Sequence, residues 1–362
     1  MSDGPRPYNL VAELTYRCPL RCAYCSNPLG FRDVPDALDA ETWGGVFREA
    51  AALGCVHVGL TGGEPTARRD LVAIVTHAAA AALYPHLVTA GTTLSRDGLA
   101  RLRAAGLRSV QLSLQDVHAE AADRIAGTPA LPAKLELARA VRAEGLPLVL
   151  NVVLHRGNLG RVGELIALAR ELDAERLELA NVQLHGWALV NRAALLPTRV
   201  QLEAAARVVA DARRAAPRPE LLFVLPDWWS DRPKPCMGGW GSRTIVVNPA
   251  GVVLPCHGAA ELPGLEFWQV PERALNECWH AAPGMRAFRG ESWMQAPCRT
   301  CPERARDFGG CRCQAFALTG DAAATDPACA LSPRHSVVLD ARAEAEGGRT
   351  PELHLRGAAL PA

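Results

Sequence analysis

The sequence predicts an α/β fold in which an open, partial (β/α)6 TIM-like barrel precedes a loop-rich second domain. Residues 1–225 alternate six β-rich runs with six helical stretches. This order implies a parallel sheet with helical crossovers, and a closed barrel needs eight such units. Of the twelve cysteines, four lie in the first 60 residues and eight lie between Cys236 and Cys329. We therefore expect a barrel at 1–225, a cysteine-rich domain at 226–340 and a mobile tail at 341–362.

Six short runs rich in β-branched and leucine residues predict the strands of the barrel. Each is followed by a loop and then by a helical stretch, so the six strands are expected to run parallel. The predicted strands are Asn9–Leu14, Val56–Leu60, His86–Thr89, Ser109–Leu114, Leu148–Leu154 and Arg176–Val182.

Capping residues mark the ends of several helices between these strands. Asp39 is expected to cap a helix that ends at Gly54, and Ser95 is expected to cap one that ends near Gly106. The remaining helices are predicted at Arg68–Ala82, at Leu131–Glu144, up to about Leu172, and at Thr198–Ala215.

The chain changes character after residue 225. Thr244–Val247 and Val252–Leu254 are predicted as two strands around the turn Asn248–Gly251. Beyond Pro255 the sequence has little periodicity and frequent Pro, Gly and Cys. Such a segment lacks a large core and is expected to depend on bound metal for its order.

The composition excludes several classes of protein. The net charge is +1 and no basic stripe is present, which argues against binding to nucleic acid or to an anionic membrane. No run approaches the length of a membrane span, and residues 1–10 contain no apolar signal region. Twelve cysteines without a secretion signal predict a reducing, cytoplasmic location in which thiolates serve as metal ligands.

Three cysteines form a C-x3-C-x2-C run directly after the first predicted strand. They are Cys18, Cys22 and Cys25. A cubane [4Fe–4S] cluster normally takes four cysteines, so three leave one iron open to a further ligand. A disulfide scaffold suits short secreted chains, whereas zinc also accepts thiolates. The trio alone leaves zinc open as an alternative.

An aromatic residue, Tyr24, precedes the third cysteine and completes the pattern of the radical S-adenosylmethionine (SAM) enzymes, which this loop resembles. The resemblance implies the open six-unit barrel. It also implies a [4Fe–4S] cluster whose open iron is chelated by the amino and carboxylate groups of SAM. In that family, reduction of the cluster cleaves SAM and releases a 5′-deoxyadenosyl radical.

Two further loops at the same end of the predicted barrel match this family. Gly62-Gly63-Glu64 follows the second strand and matches the GGE motif, which implies contact with the SAM amino group. Ser113 and Gln115 lie at the end of the fourth strand, where the family contacts the ribose or carboxylate of SAM. Ordinary polarity at the end of a strand is the alternative for these two residues. Together with Tyr24 they are the predicted SAM-binding residues.

The C-terminal cysteines resemble the SPASM extension, which binds two auxiliary iron–sulfur clusters in peptide-modifying enzymes. Asp307 stands where the usual C-x2-C-x5-C-x3-C run has its third cysteine. A carboxylate is a harder ligand than a thiolate, so the potential and lability of that cluster are expected to change. A solvated turn residue is the alternative role for Asp307.

The SPASM resemblance also implies two ligand sets for these clusters, of the [4Fe–4S] or [2Fe–2S] type, in which Cys311 and Cys329 are interchangeable. Cys55 and Cys278 are left over and are expected to be buried structural thiols. The first set is Cys236, Cys256, Cys311 and Cys313, and the second is Cys298, Cys301, Asp307 and Cys329.

Longer strings resemble the peptide cyclases of pyrroloquinoline quinone (PQQ) biosynthesis, a radical SAM/SPASM family. The resemblance extends from about Tyr8 to His335, and the aspartate at 307 is typical of that family. One departure is Leu184-His185, where the family usually has two tyrosines. The matching strings are Leu10–Leu20, Cys25–Leu29, Asn151–Arg156, Gly186–Arg192, Cys236–Gly241 and Asp307–Phe316.

The resemblance implies a reaction and its partners. A carbon–carbon bond joins the γ-carbon of a glutamate to the ring of a tyrosine in a small precursor peptide, and the auxiliary clusters accept the surplus electron. A small chaperone protein presents the peptide, because a first strand near Asn9 leaves no room for an N-terminal recognition domain. A flavodoxin-like or other reductant supplies the electron that starts the reaction.

Two rival interpretations remain at this level. One is another SPASM enzyme, such as a thioether-forming or formylglycine-forming maturase, and the other is a non-enzymatic zinc protein. Asp307 and the long strings argue against the first rival. No catalytic base is assigned, although His185, Glu64 and Asp116 are near the predicted site.

Overall fold

Strands and helices alternate through the first two thirds of the protein, as the sequence predicts. The structure is a computed structural model and describes residues 4–348 and 351–358. Its described part contains one nine-stranded sheet with the strand order β7-β6-β5-β4-β3-β2-β1-β8-β9. The strands are β1 (Asn9–Thr15), β2 (His57–Gly62), β3 (Tyr84–Thr89), β4 (Ser109–Leu114), β5 (Leu148–Leu154), β6 (Arg176–Asn181), β7 (Glu220–Val224), β8 (Thr244–Val247) and β9 (Val253–Leu254).

The helices that cross between neighbouring strands lie on one face of this sheet. None of the described helices is long and apolar enough to cross a membrane. The helices are α1 (Ala40–Leu53), α2 (Leu71–Ala80), α3 (Arg96–Ala104), α4 (Ala119–Ala126), α5 (Leu131–Ala143), α6 (Val162–Glu171), α7 (Trp187–Val190), α8 (Arg192–Leu195), α9 (Arg199–Ala215), α10 (Leu275–Ala281), α11 (Pro283–Arg286), α12 (Arg304–Asp307), α13 (Arg312–Thr319) and α14 (Ser336–Glu346).

Neighbouring strands from β7 to β8 pair in parallel, and the sheet does not close. The prediction of an open, partial α/β barrel is therefore confirmed. β7 is a seventh strand that the sequence does not predict, and it lies at one edge of the sheet. Its five residues pair only with β6, and a run this short between prolines carries little signal of its own.

Capping residues fix several helix ends as predicted. The Asp39 carboxylate accepts a hydrogen bond from Thr42 N at 2.8 Å, and Gly54 ends α1 with φ of 111°. Thr198 starts α9 with a reciprocal capping box. α4 is not predicted, because it has only eight residues and no side-chain hydrogen bond at its N-terminus.

Leucine and valine residues on alternate strand positions form the core between sheet and helices. Leu10, Leu112 and Leu150, for example, are at most 1% exposed and pack in one cluster with residues from the surrounding helices. The intervening positions face the barrel interior and are more polar, as at Gln111, Ser113 and the paired Asn151. Apolar residues thus stabilise the outer layer and leave a polar interior for a site.

The cysteine-rich segment joins the barrel through the sheet. β8 pairs in parallel with β1, and β9 pairs antiparallel with β8. The predicted hairpin is therefore present, and its first strand is hydrogen-bonded to the strand that precedes Cys18. The domain boundary at 225/226 stays a prediction.

The described residues of the predicted tail include the end of a helix and a segment against the cysteine loop. Residues 341–346 are the end of α14, so the predicted boundary at 340 falls within a helix. Residues 351–358 contact the cysteine loop, where Arg356 N donates to Arg21 O at 3.0 Å. The predicted mobility of this tail stays a prediction, and residues 349–350 and 359–362 lie outside the described residues.

Candidate active site and cluster cavities

The cysteine loop, which contains Cys18, Cys22 and Cys25, begins where β1 ends and is hydrogen-bonded to the end of α4. Arg21 N donates to Ala126 O at 2.7 Å, and Ala23 N donates to Ile125 O at 3.0 Å. Between these anchors Cys18, Cys22 and Cys25 are partly buried free thiols. The loop thus holds all three predicted ligands on one backbone segment at the carboxyl end of β1.

Two buried cations lie near these thiols. Burial raises the pKa of Cys18 and Cys25, and raises the pKa of Cys22 to about 12. The positive charge of Arg356 acts against this increase at all three thiols, and Lys134 acts against it at Cys22. Thiolates are the forms that bind metal, and a cationic environment favours them. The donor set and its charges therefore fit an anionic iron–sulfur cluster with three thiolate ligands.

Lys134 is one of only two lysines in the chain, and it is completely buried on α5. Its Nζ donates to Ser113 O at 2.7 Å. Burial lowers the pKa of Lys134 to about 8, while the nearby Cys22 and Glu64 act in the opposite direction. Lys134 therefore bonds to the backbone of Ser113 and interacts electrostatically with Cys22 of the cysteine loop.

Gly62 and Gly63 allow the GGE loop to lie directly against the cysteine loop. A Cβ at Gly62 would be 2.2 Å from Thr15 O, and one at Gly63 would be 2.6 Å from both Tyr16 O and Arg17 O. Instead, Gly63 N donates to Thr15 O at 2.7 Å. The two glycines are therefore required for contact between the two loops.

Glu64 is fully buried and is held by the next strand. Its Oε1 accepts hydrogen bonds from Thr89 Oγ1 at 2.7 Å and from Thr66 Oγ1 at 2.6 Å. Its Oε2 accepts one from Ala90 N at 2.6 Å. A carboxylate has about four acceptor sites, so only limited capacity remains for a ligand. The predicted contact of Glu64 with SAM stays a prediction, and in this structure Glu64 positions the β3 loop.

Tyr24, Gln115 and His155 form a polar group beside the third cysteine. Gln115 Nε2 donates to the Tyr24 hydroxyl at 3.0 Å, and the rings of Tyr24 and His155 are 6.1 Å apart. His155 Nδ1 accepts from Gly157 N at 3.1 Å, and burial lowers the pKa of His155 to about 4. The imidazole is therefore neutral and carries its proton on Nε2.

Several buried polar atoms at the carboxyl ends of β3 to β6, in α7 and on the tail have no hydrogen-bond partner. Buried polar groups are almost always paired, so a cluster of unpaired ones needs an explanation. A polar ligand bound at the carboxyl ends of the strands satisfies such atoms, and this fits SAM. Within the described residues, these atoms are Thr92 Oγ1, Gln115 Oε1 and His155 Nε2 in the loops after β3, β4 and β5, Asn181 Oδ1 at the end of β6, Trp187 Nε1 at the start of α7, and Arg356 Nη1 on the tail.

Asp116 is not a free base. Arg161 Nε donates to Asp116 Oδ1 at 2.8 Å, and Arg161 Nη2 donates to Oδ2. This ion pair borders a cavity of about 690 Å³ at the ends of β4 and β5, which His155 and Arg124 also line. The pair orients the loop after β4 and places a cation at the cavity wall.

Four thiols of the cysteine-rich segment line one cavity of about 240 Å³, and they are those of Cys236, Cys256, Cys311 and Cys313. Lys234, the other lysine of the chain, also lines this cavity. Cys256 Sγ is 3.6 Å from Cys313 Sγ, and Cys311 Sγ is 3.8 Å from His185 Nε2. Hydrogen bonds from the Cys236 and Cys313 thiols lower the pKa of Cys256 and Cys311. Cys311 therefore lines the same cavity as Cys236, Cys256 and Cys313, and its allocation to this ligand set stays a prediction.

The other predicted ligand set gathers in a separate small pocket. Asp307 lies there with three thiols, and its Oδ1 accepts a hydrogen bond from Gly309 N at 2.9 Å. Burial raises the pKa of Cys329, and the nearby Cys298, Asp307 and Cys301 raise it further. Three thiols and one carboxylate at a shared pocket fit the chemistry of an iron–sulfur cluster with one oxygen ligand.

Within residues 4–348 and 351–358, no group of three or more His, Cys, Asp or Glu side chains is arranged to hold a single metal ion. The two predicted C-terminal ligand sets each line a cavity of their own. The two leftover thiols, Cys55 and Cys278, are buried in the main core, which fits the expected structural role.

Four residues near the cysteine loop or at the carboxyl ends of β4 and β5 were not predicted from the sequence. They are Lys134, His155, Arg161 and Arg356. A helical lysine and an arginine near the C-terminus carry no local pattern that points to Cys18. The scarcity of lysine was the available signal, because both lysines lie beside cysteine groups.

A protein-family model described as the radical SAM superfamily matches residues 12–169. The structure is also similar to SuiB of Streptococcus suis solved with S-adenosylmethionine, with a TM-score of 0.73 and 19% identity over 87% of this chain and 75% of that one. The match to the family model and the cysteine loop identify a radical SAM domain in this part of the chain, and the likeness to SuiB shows the same fold.

Two curated relatives narrow the assignment. The chain is 51% identical to a PqqA peptide cyclase of Methylocella silvestris, over 94% of this chain and 91% of the relative. It is 51% identical to one of Streptomyces rochei, over 97% of each chain. The chain belongs to the family of PqqA peptide cyclases.

Proposed function

We propose that this protein is a radical SAM enzyme that cross-links a glutamate γ-carbon to a tyrosine ring within the PqqA precursor peptide, an early step in PQQ biosynthesis. Identity of 51% with PqqA peptide cyclases over nearly the whole chain carries this proposal. The unpaired polar atoms around the cysteine loop support a bound SAM molecule at the barrel mouth.

In this proposal Cys18, Cys22 and Cys25 hold a [4Fe–4S] cluster. When bound, the cluster and SAM supply a radical that abstracts hydrogen from the peptide. Gly62 and Gly63 fix the neighbouring loop, and Gln115 and His155 offer an acceptor and a donor to SAM. Lys134 and Arg356 offset the negative charge of the thiolates.

Two auxiliary iron–sulfur clusters are proposed at the thiol cavities. The four-thiol cavity supplies the ligands of one, and the pocket with Asp307 supplies those of the other. Formation of the carbon–carbon bond removes two hydrogen atoms from the peptide, and the second leaves as a proton and an electron. When bound, these clusters supply acceptors for that electron.

The remaining partners are also proposals. A small peptide-chaperone protein and a flavodoxin-like or other reductant follow from the family resemblance. We propose a cytoplasmic location, because twelve free thiols and thiolate-bound clusters require a reducing compartment.

The function is tested by anaerobic reconstitution with iron, sulfide, SAM, a reductant, the PqqA peptide and the chaperone. We expect a product lighter than the peptide by two hydrogen atoms, with fragmentation that places the new bond between glutamate and tyrosine. The substrate control is a peptide in which the reactive carbon of the tyrosine ring is blocked by a substituent. Cleavage of SAM with no cross-linked peptide would contradict the proposed reaction.

Replacing Asp307 with cysteine should change the cluster that it is proposed to hold. A thiolate is a softer and more electron-donating ligand than a carboxylate, so we expect a more negative midpoint potential and slower cross-linking. Electron paramagnetic resonance during a redox titration measures the potential, and mass spectrometry measures the turnover. Asp321→Cys, at an exposed aspartate, is the control. An unchanged potential and turnover would remove Asp307 from the ligand set.

A further inference from the structure

The C-terminal residues 351–358 place an arginine inside the cysteine-loop site. Arg356 is only 2% exposed, although it lies six residues from the end of the sequence. Its Nη2 donates to Cys18 O at 3.2 Å and also to Leu20 O. Burial of a guanidinium is costly unless its donors are satisfied, so this position requires specific partners.

Reciprocal hydrogen bonds hold the segment in place. His354 N donates to Asn191 Oδ1 at 2.7 Å, and Asn191 Nδ2 donates back to His354 O at 2.8 Å. Arg356 N donates to Arg21 O at 3.0 Å, and Arg21 Nε donates to Arg356 O at 3.1 Å. Asn191 Nδ2 also donates to Ala23 O at 2.8 Å, so the segment is linked to the cysteine loop at two points.

One nitrogen of the guanidinium, with both of its N–H donors, has no partner. Its plane lies over the ring of Phe31, with Arg356 Cζ 5.0 Å from the ring centroid, and Nη2 is used by the loop carbonyls. Nη1 is buried and has no partner. The hydrogen bonds from Nη2 to Cys18 O and Leu20 O hold the guanidinium against the backbone of the cysteine loop.

We propose that residues 351–358 form a strap that completes the cysteine-loop site, and that Arg356 Nη1 binds the anionic group held there. That group is either the thiolate-bound cluster or the carboxylate of SAM. Both present a buried negative charge to a donor that would otherwise be unsatisfied. The proposal rests on the proposed cluster and SAM site, and it assigns to the C-terminal segment a residue of that site.

The test compares Arg356→Gln with wild type as the anaerobically reconstituted full chain. Two quantities are measured: the SAM dissociation constant, and the midpoint potential of the SAM-binding cluster without SAM. If Nη1 binds the carboxylate, SAM affinity falls at least tenfold, about 1.4 kcal/mol. If Nη1 donates to the cluster, the potential becomes more negative and SAM affinity changes less than threefold. Wild-type values for both quantities would overturn the proposal.

Two further variants keep the result interpretable. Arg334→Gln removes the same charge from an exposed position near α14, and we expect wild-type values for it. If Arg356→Gln retains no SAM-binding cluster, Arg356→Lys decides, because one ammonium cannot replace the guanidinium fork at the loop carbonyls and at the anion together. Wild-type values for Arg356→Lys would then overturn the proposal. If wild type itself binds no cluster, the proposed function fails instead.

Discussion

Replacing Cys18, Cys22 and Cys25 together with alanine is expected to abolish cross-linking while leaving the auxiliary clusters in place. The triple variant removes every thiol of the cysteine loop, and no other cysteine replaces them in the described part of the barrel site. We expect about four fewer iron atoms per chain, the content of one cubane. Iron and sulfide analysis measures the loss, and mass spectrometry of the peptide measures the turnover.

The retained clusters make this result specific. The four-thiol cavity and the pocket with Asp307 use residues from other segments of the chain, so their absorbance and paramagnetic signals should persist. Cys55→Ala is the matched control, because Cys55 is a buried thiol of the main core and should leave the iron content unchanged. A triple variant with wild-type iron content would mean that the loop holds no cluster.

The elements of the barrel were predictable because their signals are local. Asp39 and Gly54 bound α1 through capping interactions that involve only neighbouring residues, and strand β4 has the predicted ends Ser109 and Leu114. The cysteine run is likewise a local pattern, and its position after β1 follows from chain order. Short elements such as α4 were missed, since their stability comes from packing rather than from sequence periodicity.

The electrostatic environment of the site was not predictable in the same way. Lys134 reaches the cysteine loop from α5, more than one hundred residues along the chain, and Arg356 reaches it from the C-terminal segment. Such contacts depend on the register of packed elements, which single-sequence patterns do not encode. His155 shows the same limit, because the proton on its unpaired Nε2 follows from one backbone hydrogen bond to Nδ1.

Gly62 and Gly63 of the GGE loop pack against another part of the backbone. In the structure the space beside each glycine is filled by the backbone of residues 15–17. The absence of a side chain at each glycine is thus a packing requirement of the cysteine loop itself, and it gives a direct test.

Gly63→Ala is expected to displace the cysteine loop and to abolish cluster binding at that loop. The added Cβ would lie 2.6 Å from Tyr16 O and from Arg17 O, and neither backbone carbonyl can rotate away as a side chain does. Relief requires movement of the loop and loss of the hydrogen bonds from Gly63 N to Thr15 O at 2.7 Å and from Glu64 N to Arg17 O at 2.8 Å. Overpacking of this kind costs about 1–3 kcal/mol in free energy of unfolding.

Gly30→Ala separates this effect from a general loss of glycine flexibility. A Cβ at Gly30 meets nothing within 4 Å, and Gly30 has φ of −86°, which alanine adopts readily. Thermal unfolding, iron content and cross-linking are measured for both variants. Since Gly63 N and Glu64 N tie the GGE loop to the segment that leads into Cys18, a Gly63→Ala variant with wild-type iron content and turnover would show that contact between the two loops is not needed to hold the cluster.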